Sequence, residues 1–316
     1  MNHNAAITGY VPGRNSSCPC GSKKKAKHCC LISKNVFIKK PIEIIVEESS
    51  KTNYSNSSCL ASFTNDCVKK ITGEHYFSKS ILKLIDSEKV EIKGWPHNQA
   101  SLEVVPIKNL VVNCLCERHN NMLSPFDNTA YLIFKTLIDF DSVVSKGKAI
   151  QDTYRLFNFW DFERWLIKTL VMASEAKFSK LNGVTQSLPL DLKREYLQIL
   201  FENRSLAIKG AGFYFLNEHN EKISFFPAFD FSPVASTATG KLDGCIIALG
   251  GFKFVFSSRE LLHIDGVPVN EKQHRPWRFA YGDGLKQMIL DFSVKVGGNE
   301  TFQLSTRSQS SPPRTI

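Results

Sequence analysis

The first forty residues contain neither aspartate nor glutamate. They hold Arg14, Lys23, Lys24, Lys25, Lys27, Lys34, Lys39 and Lys40, so that segment carries +8 of the chain's formal +10. Long apolar runs are also missing. Nothing approaches the ~18 residues of a membrane span. The strongest candidate, Cys245 to Phe256, is short and broken by Gly250, Gly251 and Lys253. No apolar core of a secretory signal stands near the start, so a soluble, cytoplasmic protein with no membrane contact is expected. Beyond Cys116 a single cysteine remains, Cys245. That excludes a disulfide scaffold for the C-terminal part. The run from Gly250 lacks the strand, glycine-rich turn and helix of a phosphate loop.

What is present is a globular composition, 42% hydrophobic and 22% charged over 316 residues. That length suits two domains, or one large domain with an appendage, and allows a sizeable core. Eight of the nine cysteines fall within the first 116 residues. In a reducing compartment such clustering points to metal rather than to disulfides. The acid-free segment has two readings, a solvated basic arm or an electrostatic contact for nucleic acid or an acidic partner.

Ser17 to Leu31 reads SCPCGSKKKAKHCCL. Four thiolates so close together can close a tetrahedral shell around Zn²⁺, and Pro19 and Gly21 supply tight-turn chemistry. The neighbouring lysines offset the negative charge of the thiolates. The stretch resembles the SEC-C motif, a small zinc-binding module. By that resemblance Cys18, Cys20, Cys29 and Cys30 are the ligands, with His28 as the competitor for the fourth place. Lys23 stands where a second glycine is common. The resemblance implies a docking piece, possible for a protein partner, that is stable only with its metal. Lys39 to Glu48 is expected to form one strand, and Ser49 to Ser58 a polar linker.

Two half-sites follow. Cys59 to Leu82 contains Cys59, Cys67, and the pair Glu74–His75 within TGEHYFSKSIL. Leu115 to Asp127 reads LCERHNNMLSPFD. Strand-like pieces at VEIKG, LEVVPI and LVVNCL lie between them. Together they resemble the HNH endonuclease family, in a bacterial subgroup with a Cys-x-x-His-Asn helix start. The resemblance implies a β-hairpin leading into a helix, a ββα-metal or treble-clef-like module. Cys59, Cys67, Cys116 and His119 form a Cys₃His set suited to structural zinc, with Cys116 and His119 on one side of a helical turn. Cys114 is assigned to packing. His75 would be the general base, Glu74 would bind or position Mg²⁺ or Mn²⁺, and Asn120 would complete or orient that shell. Asp127 is read as a helix or loop residue, with an N-cap role open to it. Since 45 residues separate His75 from Asn120, an insertion must sit within the hairpin. His97, near the apparent hairpin tip, is read as an exposed turn residue.

The C-terminal half reads as helices, then strands. Asn128 to Lys146 and Asp161 to Phe178 show helical spacing, and Pro189 to Glu202 makes a third helix. Arg164 and Lys168 share what looks like a solvated polar face. The later strands read as an antiparallel sheet, with aromatics such as Phe252, Phe254 and Phe256 assigned to its core.

The expected fold class is therefore α+β, in four segments. Residues 1–48 are a zinc knuckle arm, and 49–127 an HNH-like module. Residues 128–303 are helices followed by antiparallel sheet, and 304–316 a disordered tail. The expected function is metal-dependent hydrolysis of phosphodiesters in nucleic acid, DNA first. Two structural zincs and a catalytic Mg²⁺ or Mn²⁺ accompany it. The alternative is a non-catalytic zinc adaptor for protein or nucleic acid.

Overall fold

The computed structural model describes residues 12–33, 36–86, 88–95, 98–145, 153–177, 180–181, 184–206, 209–216, 229–236, 239–249, 252–259, 272–275, 278–282, 287–292 and 301–305. In chain order the first strands are β1 (Leu31–Ser33), β2 (Val36–Phe37) and β3 (Ile71–His75). Then come the short helix α1 (Lys79–Leu82), β4 (Lys89–Trp95), β5 (Asn98–Pro106), β6 (Val111–Cys116) and the long helix α2 (Glu117–Ser145). β7 (Thr153–Phe157), α3 (Phe159–Glu175), β8 (Lys180–Leu181), β9 (Val184–Thr185) and α4 (Leu190–Phe201) complete the middle of the chain. The remainder is strand: β10 (Gly212–Leu216), β11 (Phe229–Ala235), β12 (Leu242–Leu249), β13 (Phe252–Ser257), β14 (Lys272–His274), β15 (Arg278–Gly282), β16 (Gln287–Phe292) and β17 (Thr301–Ser305). No helix among the described residues is long and apolar enough to cross a membrane.

The chain divides into two compact units that interleave along the sequence. One takes Met1–Pro41, Asp139–Phe159 and Pro276–Ile316; the other takes Ile42–Ile138 and Trp160–Arg275. The segments anticipated above run consecutively, whereas these units gather distant pieces through strand pairing.

In the first unit β17, β15, β16 and β7 form one sheet in that order. β15 and β16 are antiparallel, but β15 with β17 and β16 with β7 are parallel. The all-antiparallel expectation therefore fails here. Pairing β7 with β16 in parallel requires a long crossover, which the intervening unit supplies. The cysteine knuckle is not a free arm. Cys18 and Cys30 pack with Tyr154 and Leu156 of β7, with Phe37 beside them, and the Leu156 N–H donates to the Pro19 carbonyl at 3.2 Å.

In the second unit five antiparallel strands run β11, β12, β13, β10, β14. β10 is buried at every position, as its unbroken apolar run GFYFL requires. α3 lies in the core of this unit. Trp165 stacks on Phe162 with centroids 5.6 Å apart, Phe134 meets it edge-on at 5.4 Å, and Phe254 meets Phe162 at 5.3 Å. Such pairs add to the area term, which is ~1.5–3 kcal/mol for a fully buried large side chain. Phe252, Phe254 and Phe256 are buried, as their strand spacing suggests.

Four expectations are corrected here. Residues 39–48 form no strand. Their backbone is held by side chains instead: the Ile44 N–H donates to Asn203 Oδ1 at 2.9 Å, and Asn203 Nδ2 returns a bond to the Ile44 carbonyl at 2.8 Å. Asp127 neither caps nor interrupts a helix, because α2 runs through it and through Pro125. Arg164 and Lys168 are not on a solvated face. Both are buried, since α3 is surrounded on nearly all sides. Arg164 donates to the Ile42 carbonyl at 2.5 Å. Leu304 and Ser305, assigned to the tail, lie in β17. His97, Gly250, Gly251 and residues 306–316 lie outside the described residues.

Candidate functional site

Cys18, Cys20, Cys29 and Cys30 bring four sulfurs within 4.8 Å of one another. Cys30, and not His28, takes the fourth place. The turn that makes this possible is tight. The Gly21 N–H donates to the Cys18 carbonyl at 3.1 Å, the Cys18 N–H to the Lys24 carbonyl at 2.7 Å, and Gly21 adopts φ +80. The sulfurs of Cys20 and Cys29 stand 3.5 Å apart, and the Ser22 hydroxyl lies 3.2 Å from Cys29 Sγ. A hydrogen bond from Cys30 holds the Cys20 thiol down to about 4. A cluster that already keeps one thiolate is prepared for a dication, which must displace the remaining protons. Lys23 to Lys25 remain exposed around it.

Lys23 itself has φ +61, in the left-handed region. There a side chain costs ~1–2 kcal/mol relative to glycine. Lys23→Gly is expected to tighten zinc retention by roughly fivefold, the equivalent of about 1 kcal/mol. A chelator competition assay checks this, and faster zinc loss from the variant contradicts it.

Cys59, Cys67, Cys116 and His119 form a second group within 4.8 Å, all buried. Its parts come from three elements. Cys59 and Cys67 flank a short turn of helix at Ser62–Thr64. Cys116 ends β6, and His119 lies in the first turn of α2. His119 Nδ1 faces the sulfurs of Cys116, Cys59 and Cys67 at 3.1, 3.6 and 3.8 Å. The Thr64 hydroxyl donates to the Ala61 carbonyl at 2.8 Å, so its oxygen accepts at 2.9 Å from His119 Nε2. That places the ring proton on Nε2 and leaves the Nδ1 lone pair toward the cluster, the tautomer a metal needs. Burial pushes the Cys59 thiol up to about 12 and His119 down to about 4. The pocket alone thus favours neutral thiols and a neutral imidazole. A dication replaces the thiol protons and repays the desolvation. Backbone donors assist: Cys116 N–H to Cys59 Sγ at 3.3 Å and Val68 N–H to Cys116 Sγ at 3.5 Å.

Cys114 stands apart, its thiol 3.5 Å from the Met172 sulfur. Cys245 is fully buried in the five-stranded sheet. Both clusters have the donor set and closure of structural zinc sites.

Beside the second cluster lies a cleft of about 570 Å³. β3 and β6 pair antiparallel with a bulge between Thr72 and Glu74. At that bulge a Cβ on Gly73 would meet Val111 at 3.2 Å, a tight contact that glycine avoids. α1, the β4–β5 hairpin and a turn of helix at Ile107–Asn109 fill the interval between the two strands. Glu74 and His75 line one wall, and Lys79 and Lys83, four apart on and after α1, line another. α2 contributes Asn120, Ser124, Asp127, Asn128 and Tyr131. These fall on one helical face by their three- and four-residue spacing.

His75 Nε2 is buried at the cleft wall and has no hydrogen-bond partner among the described residues. Its ring accepts orientation from the Ile107 carbonyl, and burial together with Lys79 and Lys168 holds its pKa below the ordinary imidazole value. Asn120 does not reach toward a cation with its amide nitrogen. It donates to the Thr72 hydroxyl at 2.9 Å and to the Gly73 carbonyl at 3.4 Å, tying α2 to the bulge. Glu74 is buried, and its carboxylate contacts the ammonium of Lys168. The same ammonium donates to both oxygens of Asp127 at 2.6 Å. Asp127 also accepts from the Ser78 hydroxyl, whose oxygen accepts from Trp165 Nε1 at 2.7 Å. Sequence reasoning gave Asp127 and Lys168 other roles, a helix or loop position and a solvated face, and left Lys79 and Thr64 unassigned. The polar stripe at 120, 124, 127 and 131 was a signal for Asp127, but nothing local marked Lys168.

Comparison with curated proteins and with solved structures yields no match. A family model for the SEC-C motif matches residues 14–31, the stretch that folds around Cys18, Cys20, Cys29 and Cys30. Those residues are a SEC-C motif with the geometry of a metal-binding module.

Proposed function

We propose that the module built from β3, β6 and the start of α2 is an HNH-type endonuclease, hydrolysing phosphodiester bonds in nucleic acid, on a chain that also carries a SEC-C module. The observation that carries this is His75, an imidazole at the cleft wall with a lowered pKa. Its buried Nε2 has no hydrogen-bond partner among the described residues and the ring is bonded to the Ile107 backbone, so that a small local opening exposes the base. A base in that state takes a proton from water. The resulting oxygen attacks phosphorus, the P–O bond to the leaving oxygen breaks, and that oxygen takes a proton from solvent. The imidazolium then returns its proton to solvent. Lys79 and Lys83 are exposed on the cleft wall and supply positive charge to the phosphate. Asn120 acts on β3, holding the bulge from which His75 projects. The Cys₃His cluster fixes the strand pair against the helix.

A Mg²⁺ or Mn²⁺ held by Glu74 is the usual partner of such a base. The residues here do not fit it, because the Glu74 carboxylate at the cleft wall is already engaged by the Lys168 ammonium.

The test is nicking of supercoiled plasmid, with single-stranded RNA in parallel, by the zinc-loaded full chain. His75→Ala is expected to lose on the order of 10²–10⁴-fold in rate. The acid limb of the wild-type pH–rate profile should fall below 6.5, the ordinary imidazole value, because the His75 pKa is lowered. Equal cleavage by His75→Ala rejects the assignment. Nucleic-acid binding without cleavage under any condition would favour the zinc adaptor.

A further inference from the structure

Two carboxylates of the cleft wall, Glu74 and the partly exposed Asp127, meet one buried ammonium. Lys168 reaches them from α3 with only 1% of its side chain exposed, against 7% for Glu74. An ammonium has three donors. Here they serve Glu74 Oε1 and the two oxygens of Asp127. Ser78 and Trp165 lock Asp127 from behind. Lys168 cannot swing away, because its neighbours on α3 from Asp161 to Ala173 are buried in turn. A divalent cation bound by these carboxylates would need oxygens at ~2.0–2.1 Å for Mg²⁺. The ammonium already stands in that space.

We propose that Lys168 is the resident cation of this site, holding Glu74 and Asp127 in the position a divalent ion would otherwise occupy. It is a positioning residue. It does not reach the open cleft, so the charge of a bound phosphate falls to Lys79 and Lys83. Cleavage then proceeds without an added divalent ion. This rests on the cleft being the reaction centre, but the carboxylate–lysine arrangement can be judged without any cleavage.

The experiment is a Mn²⁺ titration of the zinc-loaded full chain, followed by loss of the free-ion electron paramagnetic resonance signal. Thiolate clusters select zinc over Mn²⁺, so the clusters do not confuse the reading. Wild type is expected to bind no Mn²⁺ up to millimolar concentration. Lys168→Met removes a buried like charge, and its affinity for one Mn²⁺ should rise on the order of a hundredfold or more. Adding Asp127→Asn to that variant should remove the new site. Wild-type binding that disappears in Glu74→Gln overturns the proposal, and this arm needs no altered lysine. A folded Lys168→Met chain with no gain in Mn²⁺ binding also overturns it. In a parallel plasmid assay in metal-depleted buffer, added Mg²⁺ should leave the rate unchanged. Mg²⁺-dependent cleavage overturns the proposal. If nothing is cleaved with or without metal, the nuclease assignment fails, while the titration still decides the role of Lys168.

Discussion

Cys116→Ser is expected to lower the zinc content from two ions per chain to one and to melt the module around β3, β6 and the start of α2. The two clusters account for the two ions. Cys116 is the hinge of its cluster: its sulfur is the nearest to His119 Nδ1, at 3.1 Å, and its N–H bonds Cys59 Sγ. The β3–β6 ladder and Asn120 also join these elements, but the turn carrying Cys59 and Cys67 has no strand or α-helix of its own. The turn from Tyr54 to Cys67 is secured by Asn56, which donates to the carbonyls of Val68 and Lys69, and by Asp66 with Arg118 at 2.8 Å. Asn56 and Asp66 are themselves buried, so the turn is held by polar contacts around the cluster. Structural zinc contributes on the order of 10–16 kcal/mol in small peptides. That rivals the ~5–15 kcal/mol of an entire domain. Loss of the ion should therefore expose the amides of 54–75 and 111–125 to hydrogen exchange, while the knuckle at Cys18 keeps its metal. Elemental analysis showing two zincs retained in Cys116→Ser would remove the Cys₃His assignment.

Lys168→Ala should cost about 3 kcal/mol, because it leaves the buried Glu74 carboxylate facing the partly exposed Asp127 without a counter-charge. Urea unfolding measures it. Neutralising the set together (Lys168→Met with Glu74→Gln and Asp127→Asn) should recover most of that loss, since a neutral buried set of similar shape is often close to isoenergetic. A single-variant cost within ~1 kcal/mol of wild type would mean the pair is screened like a surface bridge. The pH dependence has a definite sign. Burial pulls the Lys168 pKa down, but Asp127 and Glu74 outweigh it and hold it above 10.5, the ordinary value. A group whose folded pKa is raised contributes fully below its unfolded pKa and loses that contribution as pH climbs through the folded value. The gap between wild type and Lys168→Ala should therefore persist at neutral pH and close only in alkali. Glu74 pulls the other way on the acid side, since burial raises its pKa despite Lys168. Its protonation relieves the need for the lysine as pH falls.

Much of the architecture near the metals was legible because its signals are local. Four cysteines within Cys18–Cys30 leave few ways to close a shell, and Cys116 with His119 must share a face of one helical turn. The long interval between His75 and Asn120 required an insertion, and α1 with the β4–β5 hairpin fills it. The failures have one cause. Lys168 and Arg164 sit at helical spacing with polar neighbours, which reads as a solvated stripe, yet α3 is enclosed. Asp127 before Asn128 reads as a cap, yet α2 continues because the carboxylate is engaged by Lys168 rather than by backbone N–H groups. The run KPIEIIVEE reads as a strand, but it pairs with no strand among the described residues, and Asn203 satisfies Ile44 instead.

The amino-acid sequence by itself determined the two metal clusters and the placing of His75 and Asn120 beside one of them. A thiolate shell depends on residue type and short spacings, and these survive in one dimension. Only the tertiary structure decided what charge Glu74 faces and which nitrogen of His119 looks at the sulfurs. It alone showed that the cysteine knuckle rests on Tyr154 and Leu156. Burial of a charge is set by partners that arrive from distant elements, and no local pattern announces a lysine that will spend its ammonium inside the protein.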